Sequence, residues 1–215
     1  MPQITTARLQ AVDRSWRATV NKFRGPIPTG LAVAHIVAES NGAATPVVRD
    51  AKRSIGMTRI PYRVGLRHGY TEEELEEPVK NLYVWCLQTN KDSERLHKEY
   101  PSNWTQANYD YWLSMRLIYK LGFASYNNLV AKVINTATTN QITAAIQSWI
   151  RTSMPTTQRF GTFRARDLRR IADELDLFRG AMTLLDGPNK ISTLFSQAPA
   201  QSPGGEFEIM RAMSV

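Results

Sequence analysis

A chain of 215 residues, 42% of them hydrophobic and 21% charged, with 12 Gly and 11 Pro, has the length of one domain or one domain with an extension, and the composition of a folded chain rather than a disordered one. The longest nearly apolar stretch, Gly30 to Ala38, carries His35 and spans nine residues, well short of the ~20 that cross a bilayer; the first residues lack a basic segment followed by an apolar one, so neither a membrane span nor a secretory signal is expected. One cysteine, Cys86, excludes an intrachain disulfide and a multi-Cys zinc site, while 27 Lys+Arg against 19 Asp+Glu, a formal charge of +8, favour an anionic partner such as nucleic acid, a wall polymer or a lipid surface.

Leu9, Val12, Trp16, Val20 and Phe23 recur at spacings of three and four, which predicts an amphipathic helix over about 6–23, closed by Gly25-Pro26-Ile27-Pro28. Thr29 is placed to cap a second helix, 30–40, whose Leu31, Val33, Ile36 and Val37 are apolar on more than one side and predict burial. Asn41 to Tyr70 has no clean period and reads as loop with room for a helical turn or short hairpin. Thr71 to Glu74 has the spacing of a capping box. Pro78 then opens a helix to about Leu96 that buries Cys86 as a small hydrophobe. Tyr109, Trp112, Arg116 and Tyr119 mark a helix from about 105 to Gly122; Tyr126 to Ile134 marks another, and Ile142, Ala145, Ile146 and Trp149 a further one. Phe163, Leu168, Ile171, Leu175 and Phe178 outline a last helix bearing Arg164, Arg166, Arg169 and Arg170, a solvated or docking face more than a nucleic-acid site. From about 186 the chain is rich in Ser, Gln, Pro, Ala and Gly and predicts an extended or partner-ordered tail. The fold class is mainly α.

One carboxylate stands out. His35-Ile36-Val37-Ala38-Glu39-Ser40 puts Glu39 at the end of an apolar helix, where partial desolvation is expected to raise its pKa towards that of a glycosidic general acid. Further along come Ser54-Ile55-Gly56-Met57-Thr58-Arg59-Ile60-Pro61, then Glu77-Pro78-Val79-Lys80-Asn81-Leu82, then Tyr119-Lys120-Leu121-Gly122. In this order the four segments resemble the soluble lytic transglycosylase domain related to goose-type lysozymes, whose pattern runs Glu-Ser, Gly-Leu-Met-Gln-Ile-x-Pro, Asp-Pro-x-x-Asn-Ile and Ala-Tyr-Asn-x-Gly. The resemblance covers about Leu31 to Ser125. Thr58, Arg59, Glu77 and Lys120 depart from it, standing where the family has Met, Gln, Asp and Asn.

The resemblance implies a lysozyme-like domain over 1–150, followed by a basic helical extension, 151–185, and the tail, 186–215. It also implies cleavage of the β-1,4 bond between N-acetylmuramic acid and N-acetylglucosamine in peptidoglycan, without water and without a metal or cofactor. Glu39 would protonate the glycosidic oxygen and then, as carboxylate, take the proton of the attacking C6 hydroxyl. Tyr119 would orient Glu39 or the acetamido group, and Ser40, Asp50, Ser54, Met57, Arg59 and Asn81 would contact substrate. Two alternatives stay open: a lysozyme-type hydrolase with Asp50 as second carboxylate, and an inactive structural protein on the same scaffold. No His in the chain has ligand-like spacing, so no metal is assigned. An enzyme that reaches the wall without a signal fits a bacteriophage virion protein docked through its C-terminal region and acting in the host periplasm or wall, with glycan strands as its partner and nucleic acid a weaker candidate.

Overall fold

The structure, a computed structural model, describes residues 4–43, 53–100, 108–135, 137 and 141–187. Among these the chain forms nine helices and two short hairpins, a mainly α architecture. Helix α1 (Thr6–Phe23) starts at Thr5, whose hydroxyl accepts from the Arg8 amide. Helix α2 (Thr29–Ser40) is the axis of the molecule: from Leu31 to Val37 no residue is more than 2% exposed. It packs between α1 and the last helix, α9 (Ala165–Asp186).

Strands β1 (Ser54–Ile55) and β2 (Ile60–Pro61) pair antiparallel around a tight turn. At the turn Gly56 takes φ +73°, and a Cβ there would lie 2.5 Å from the Leu75 carbonyl oxygen, so glycine serves both the left-handed backbone and the close approach. Helix α3 (Tyr62–Arg67) follows. Helix α4 (Glu72–Glu76) has the capping box that Thr71 and Glu74 predict. Helix α5 (Pro78–Glu99) runs with Pro78 in its first turn. Helices α6 (Tyr109–Leu121) and α7 (Phe123–Val133) meet at Gly122, α8 (Ile142–Thr152) packs on α9, and β3 (Arg159–Phe160) with β4 (Phe163–Arg164) leads into α9.

Two sequence expectations change here. Residues 151–185 are no appendage to a domain ending at 150: Leu168, Ala172, Leu175, Phe178, Ala181 and Met182 are fully buried, with α9 lying along α2 and touching α6 and α8. The crossing is so close that a Cβ on Gly30 would sit 2.5 Å from the Met182 Cα. Nor does Thr29 cap α2. Thr29 is its first helical residue, and the free amides of Thr29 and Gly30 donate to the Asp186 carboxylate at 3.0 and 2.7 Å. A carboxylate from the far end of the chain thus serves as the cap, where the helix dipole favours negative charge.

Asp186 and Gly187, which the sequence places at or beside the start of the tail, therefore belong to the folded part. The Tyr109 hydroxyl also donates to the carbonyls of Met182 and Gly187. Deleting residues 188–215 is expected to leave thermal unfolding nearly unchanged. Asp186→Ala is expected to cost about 1–2 kcal/mol, the worth of a lost helix cap. Urea unfolding of the two variants compares them, and an Asp186→Ala protein as stable as the parent would contradict the capping role.

Candidate functional site

The four segments that carry the resemblance come together beside the C-terminal end of α2. Glu39, in the last turn, is 7% exposed. Its Oε1 lies 2.8 Å from Arg116 Nη2 and 2.6 Å from Lys120 Nζ, two cations one turn apart on α6. Arg116 is itself buried and also donates to Glu174 of α9, through Nε at 3.0 Å and through Nη2. Two acids and two bases thus form a chain, Lys120–Glu39–Arg116–Glu174, across three helices.

His35, one turn before Glu39, completes it. Arg116 Nη1 donates to His35 Nδ1 at 3.0 Å, and since guanidinium cannot accept, Nδ1 carries no proton and Nε2–H donates to the Thr58 carbonyl at 3.0 Å. The ring stacks on Trp85 at 4.5 Å. Burial, with Arg116 second, holds the His35 pKa down to about 3. His35 is therefore a neutral bridge between the charged chain and the hairpin.

The electrostatics of Glu39 run opposite to the sequence expectation. Burial pushes its pKa up, as expected, but Arg116, then His35 and Lys120, together outweigh burial and bring it down to about 2. A desolvated carboxyl becomes a proton donor only where nothing compensates its charge; here two cations do. Burial, and then Arg116, lowers the Lys120 pKa.

Both titrations weaken the fold in acid. The His35 pKa is depressed from 6.5, so the unfolded chain holds the extra proton and stability is lost as pH falls from 6.5 towards 3. The Glu39 pKa is depressed from 4.5, and its contribution is lost as pH falls from there towards 2. Unfolding free energy is expected to fall by up to ~1.4 kcal/mol per pH unit for each group. His35→Gln should remove the part between pH 6.5 and 4.5, which urea unfolding at pH 7, 5.5 and 4.5 measures; an unchanged slope in the variant would rule His35 out as its source.

The remaining site residues mostly build the hairpin. Asn81, fully buried, uses its whole amide: Oδ1 accepts from the Thr58 amide and hydroxyl, each at 2.7 Å, and Nδ2 donates to the Ile55 and Leu75 carbonyls, each at 2.9 Å. With no capacity left for a sugar, it is a clamp on the turn rather than a substrate contact. Tyr119 also holds the hairpin. Its hydroxyl donates to the Arg59 and Thr58 carbonyls at 2.8 and 2.9 Å, and its ring stands edge-on to His35.

Met57 is fully buried in the core and lines no cleft, and Ser54, 5% exposed, sits in β1 opposite Pro61. The Ser40 hydroxyl donates to the Ile36 carbonyl. Arg59 is half-buried at φ +52°, with its Nε buried and without a hydrogen-bond partner. Asp50 lies outside the described residues.

Arg116 and Glu174 are the participants that the sequence reading missed. Arg116 had a signal, a cation within an otherwise apolar helix face, which demands a buried partner. Glu174 had none, since it stands in the run Asp173-Glu174-Leu175-Asp176 that reads as solvated.

No group of three or more His, Cys, Asp or Glu among the described residues has the geometry to hold a metal ion, and no helix among them is long and apolar enough to cross a membrane. Comparison with known proteins finds no matching family model, no matching curated protein and no matching solved structure.

Proposed function

We propose that this chain is a lysozyme-like lytic transglycosylase that cleaves the MurNAc–GlcNAc β-1,4 bond of peptidoglycan, with Glu39 as its acid–base residue. We further propose that it is carried by a bacteriophage virion, docks through its C-terminal region and opens the host wall locally during genome delivery. One observation supports the reading above the others. Glu39, the hairpin around Gly56, the Asn81 clamp and Tyr119, up to 80 positions apart in sequence, are joined through His35, Thr58 and Arg116 into one polar cluster.

The ionised Glu39 suits the second half of the reaction, in which a carboxylate takes the C6 hydroxyl proton. The first half needs the proton on Glu39. Lys120, less buried than Arg116, is the cation that a glycan strand can displace, and its departure removes one of the charges that hold the carboxyl ionised.

The ion-paired Glu39 equally favours a second reading, a structural virion protein that keeps the scaffold without the reaction. Mass spectrometry of muropeptides after incubation with purified wall separates the possibilities. Anhydro-muramyl ends support the transglycosylase. Reducing ends carrying oxygen-18 from labelled water support a hydrolase with a second base such as Asp50, and absence of products supports the structural reading.

A further inference from the structure

The cations of this chain are unevenly placed. Residues 151–170 hold six Arg and one acid, Asp167, a net +5 of the formal +8. In the sequence the run Asp173-Glu174-Leu175-Asp176 dilutes them. In the structure these acids are committed elsewhere: Asp173 and Asp176 pair with Arg151, and Glu174 pairs with Arg116. Arg169 donates to the Met154 carbonyl. Arg159, Arg164, Arg166 and Arg170 remain, all exposed, and among the described residues their one ion pair is the 3.9 Å approach of Arg166 Nε to Asp167.

The β3–β4 hairpin sorts its side chains by face. Phe160 and Phe163 are one register pair, packed against the core, with Phe160 edge-on to Trp149. Arg159 and Arg164 are the other pair and are exposed, so the outer face of the ribbon carries two cationic side chains whose Cβ atoms lie ~5 Å apart. Arg166 and Arg170 follow one turn apart, ~6 Å along α9. Each placement is unfavourable for the fold by itself. Like charges directly opposite across two strands repel, as do like charges four apart on a helix. Arg164, the N-cap of α9, and Arg166, in its first turn, also stand where the helix dipole disfavours cations. A bound polyanion relieves all three.

We propose that this arginine face binds the phosphate backbone of duplex DNA, without regard to base sequence. No Lys occurs between positions 133 and 189, so the face is all guanidinium, whose planar fork matches phosphate oxygens. A two-stranded ribbon is one of the elements that the major groove admits. Duplex DNA also presents one charge per ~1.7 Å of its axis, so the four arginines meet phosphates together, which no single small anion allows. Such contacts fix position without reading bases. The proposal is independent of any activity of Glu39.

The test titrates a fluorescein-labelled duplex of ~20 base pairs with the full chain and follows anisotropy from about 50 to about 200 mM KCl. The logarithm of the binding constant should fall against the logarithm of salt with a slope of about −3 to −4, the value for about four phosphates. Arg159→Gln combined with Arg164→Gln should reduce the slope by about two and weaken binding roughly tenfold per lost contact. Arg14→Gln combined with Arg63→Gln removes the same charge from exposed positions on α1 and α3 and should change the slope by less than about half a unit. A duplex of unrelated sequence should bind within about twofold. All four positions are exposed, so the variants should unfold with the parent. Unchanged anisotropy at about 50 mM KCl with up to ~100 μM protein would overturn the proposal, as would equal slopes for the hairpin variant and the parent. Displacement of the duplex by polyglutamate at equal charge would overturn it too, making the face a receptor for an acidic protein.

Discussion

Glu39→Gln is expected to reduce wall-degrading activity to background, and Lys120→Asn to raise activity at neutral pH above that of the parent. The first follows from the role proposed for Glu39, because an amide neither donates nor takes the required proton. The second follows from the geometry. Lys120 Nζ sits 2.6 Å from Glu39, and both its charge and its hydrogen bond hold the carboxyl ionised. Asn in its place removes the charge and restores the residue type that the resembled family has there. The parent's kcat/KM should rise as pH falls below 7, because the protonated fraction of Glu39 grows, until acid weakens the fold. In Lys120→Asn the limb that reports Glu39 should shift towards neutral pH.

Glu39→Gln also carries a stability cost that a solvated cleft acid would not. Gln leaves Lys120 and part of Arg116 without a counter-charge in a buried setting, so a loss of about 2–4 kcal/mol is expected, somewhat under the 3–5 typical of breaking a buried pair because the amide oxygen still accepts. Activity is therefore compared well below the unfolding transition of the variant. Near-parental turnover in Glu39→Gln would remove Glu39 from the reaction. A Lys120→Asn profile superimposable on the parent's would show that Lys120 does not set the protonation of Glu39.

Arg116→Met should be the most damaging single change to the fold, at about 3–5 kcal/mol. It strands Glu39 with Lys120 alone, strips Glu174 of its partner and leaves His35 Nδ1 without its donor, all in the interior between α2, α6 and α9. Lys is no substitute, because one ammonium cannot reproduce the fork by which Arg116 reaches two carboxylates and an imidazole. If the loss comes from uncompensated charge, adding Glu174→Gln to Arg116→Met should recover part of it, a positive coupling of the kind seen between members of one network. Urea unfolding at pH 7 of the two single variants and the double measures this. A cost below about 1 kcal/mol for Arg116→Met, or strictly additive effects, would mean that the four charges do not act as one unit.

Hydrophobic period and local capping chemistry carried most of the secondary structure. The spacing of Leu9, Val12, Trp16, Val20 and Phe23 marked out α1, the all-round apolar character of Leu31 to Val37 predicted a buried α2, and Thr71 with Glu74 announced a capping box. These are properties of neighbours within a turn or two, so they are written in short windows. The position of Glu39 at the end of the buried helix was legible in the same way.

Its chemistry was not. Whether a desolvated carboxyl is protonated or ionised depends on what charge faces it, and the charges that face Glu39 come from α6, more than 75 residues later in the chain, backed by Glu174 from α9. The cap on α2 is likewise Asp186, 156 residues from Gly30. Asn81, singled out as a substrate contact, and Tyr119, singled out to orient Glu39 or the acetamido group, have their polar atoms bonded to the hairpin, which closes only when α5 and α6 pack beside it. Ion pairs, remote caps and clamps are set by contacts between segments with no fixed separation in sequence, so no local period encodes them; tertiary packing alone decided that Glu39 is a neutralised carboxylate and that the last helix belongs to the core.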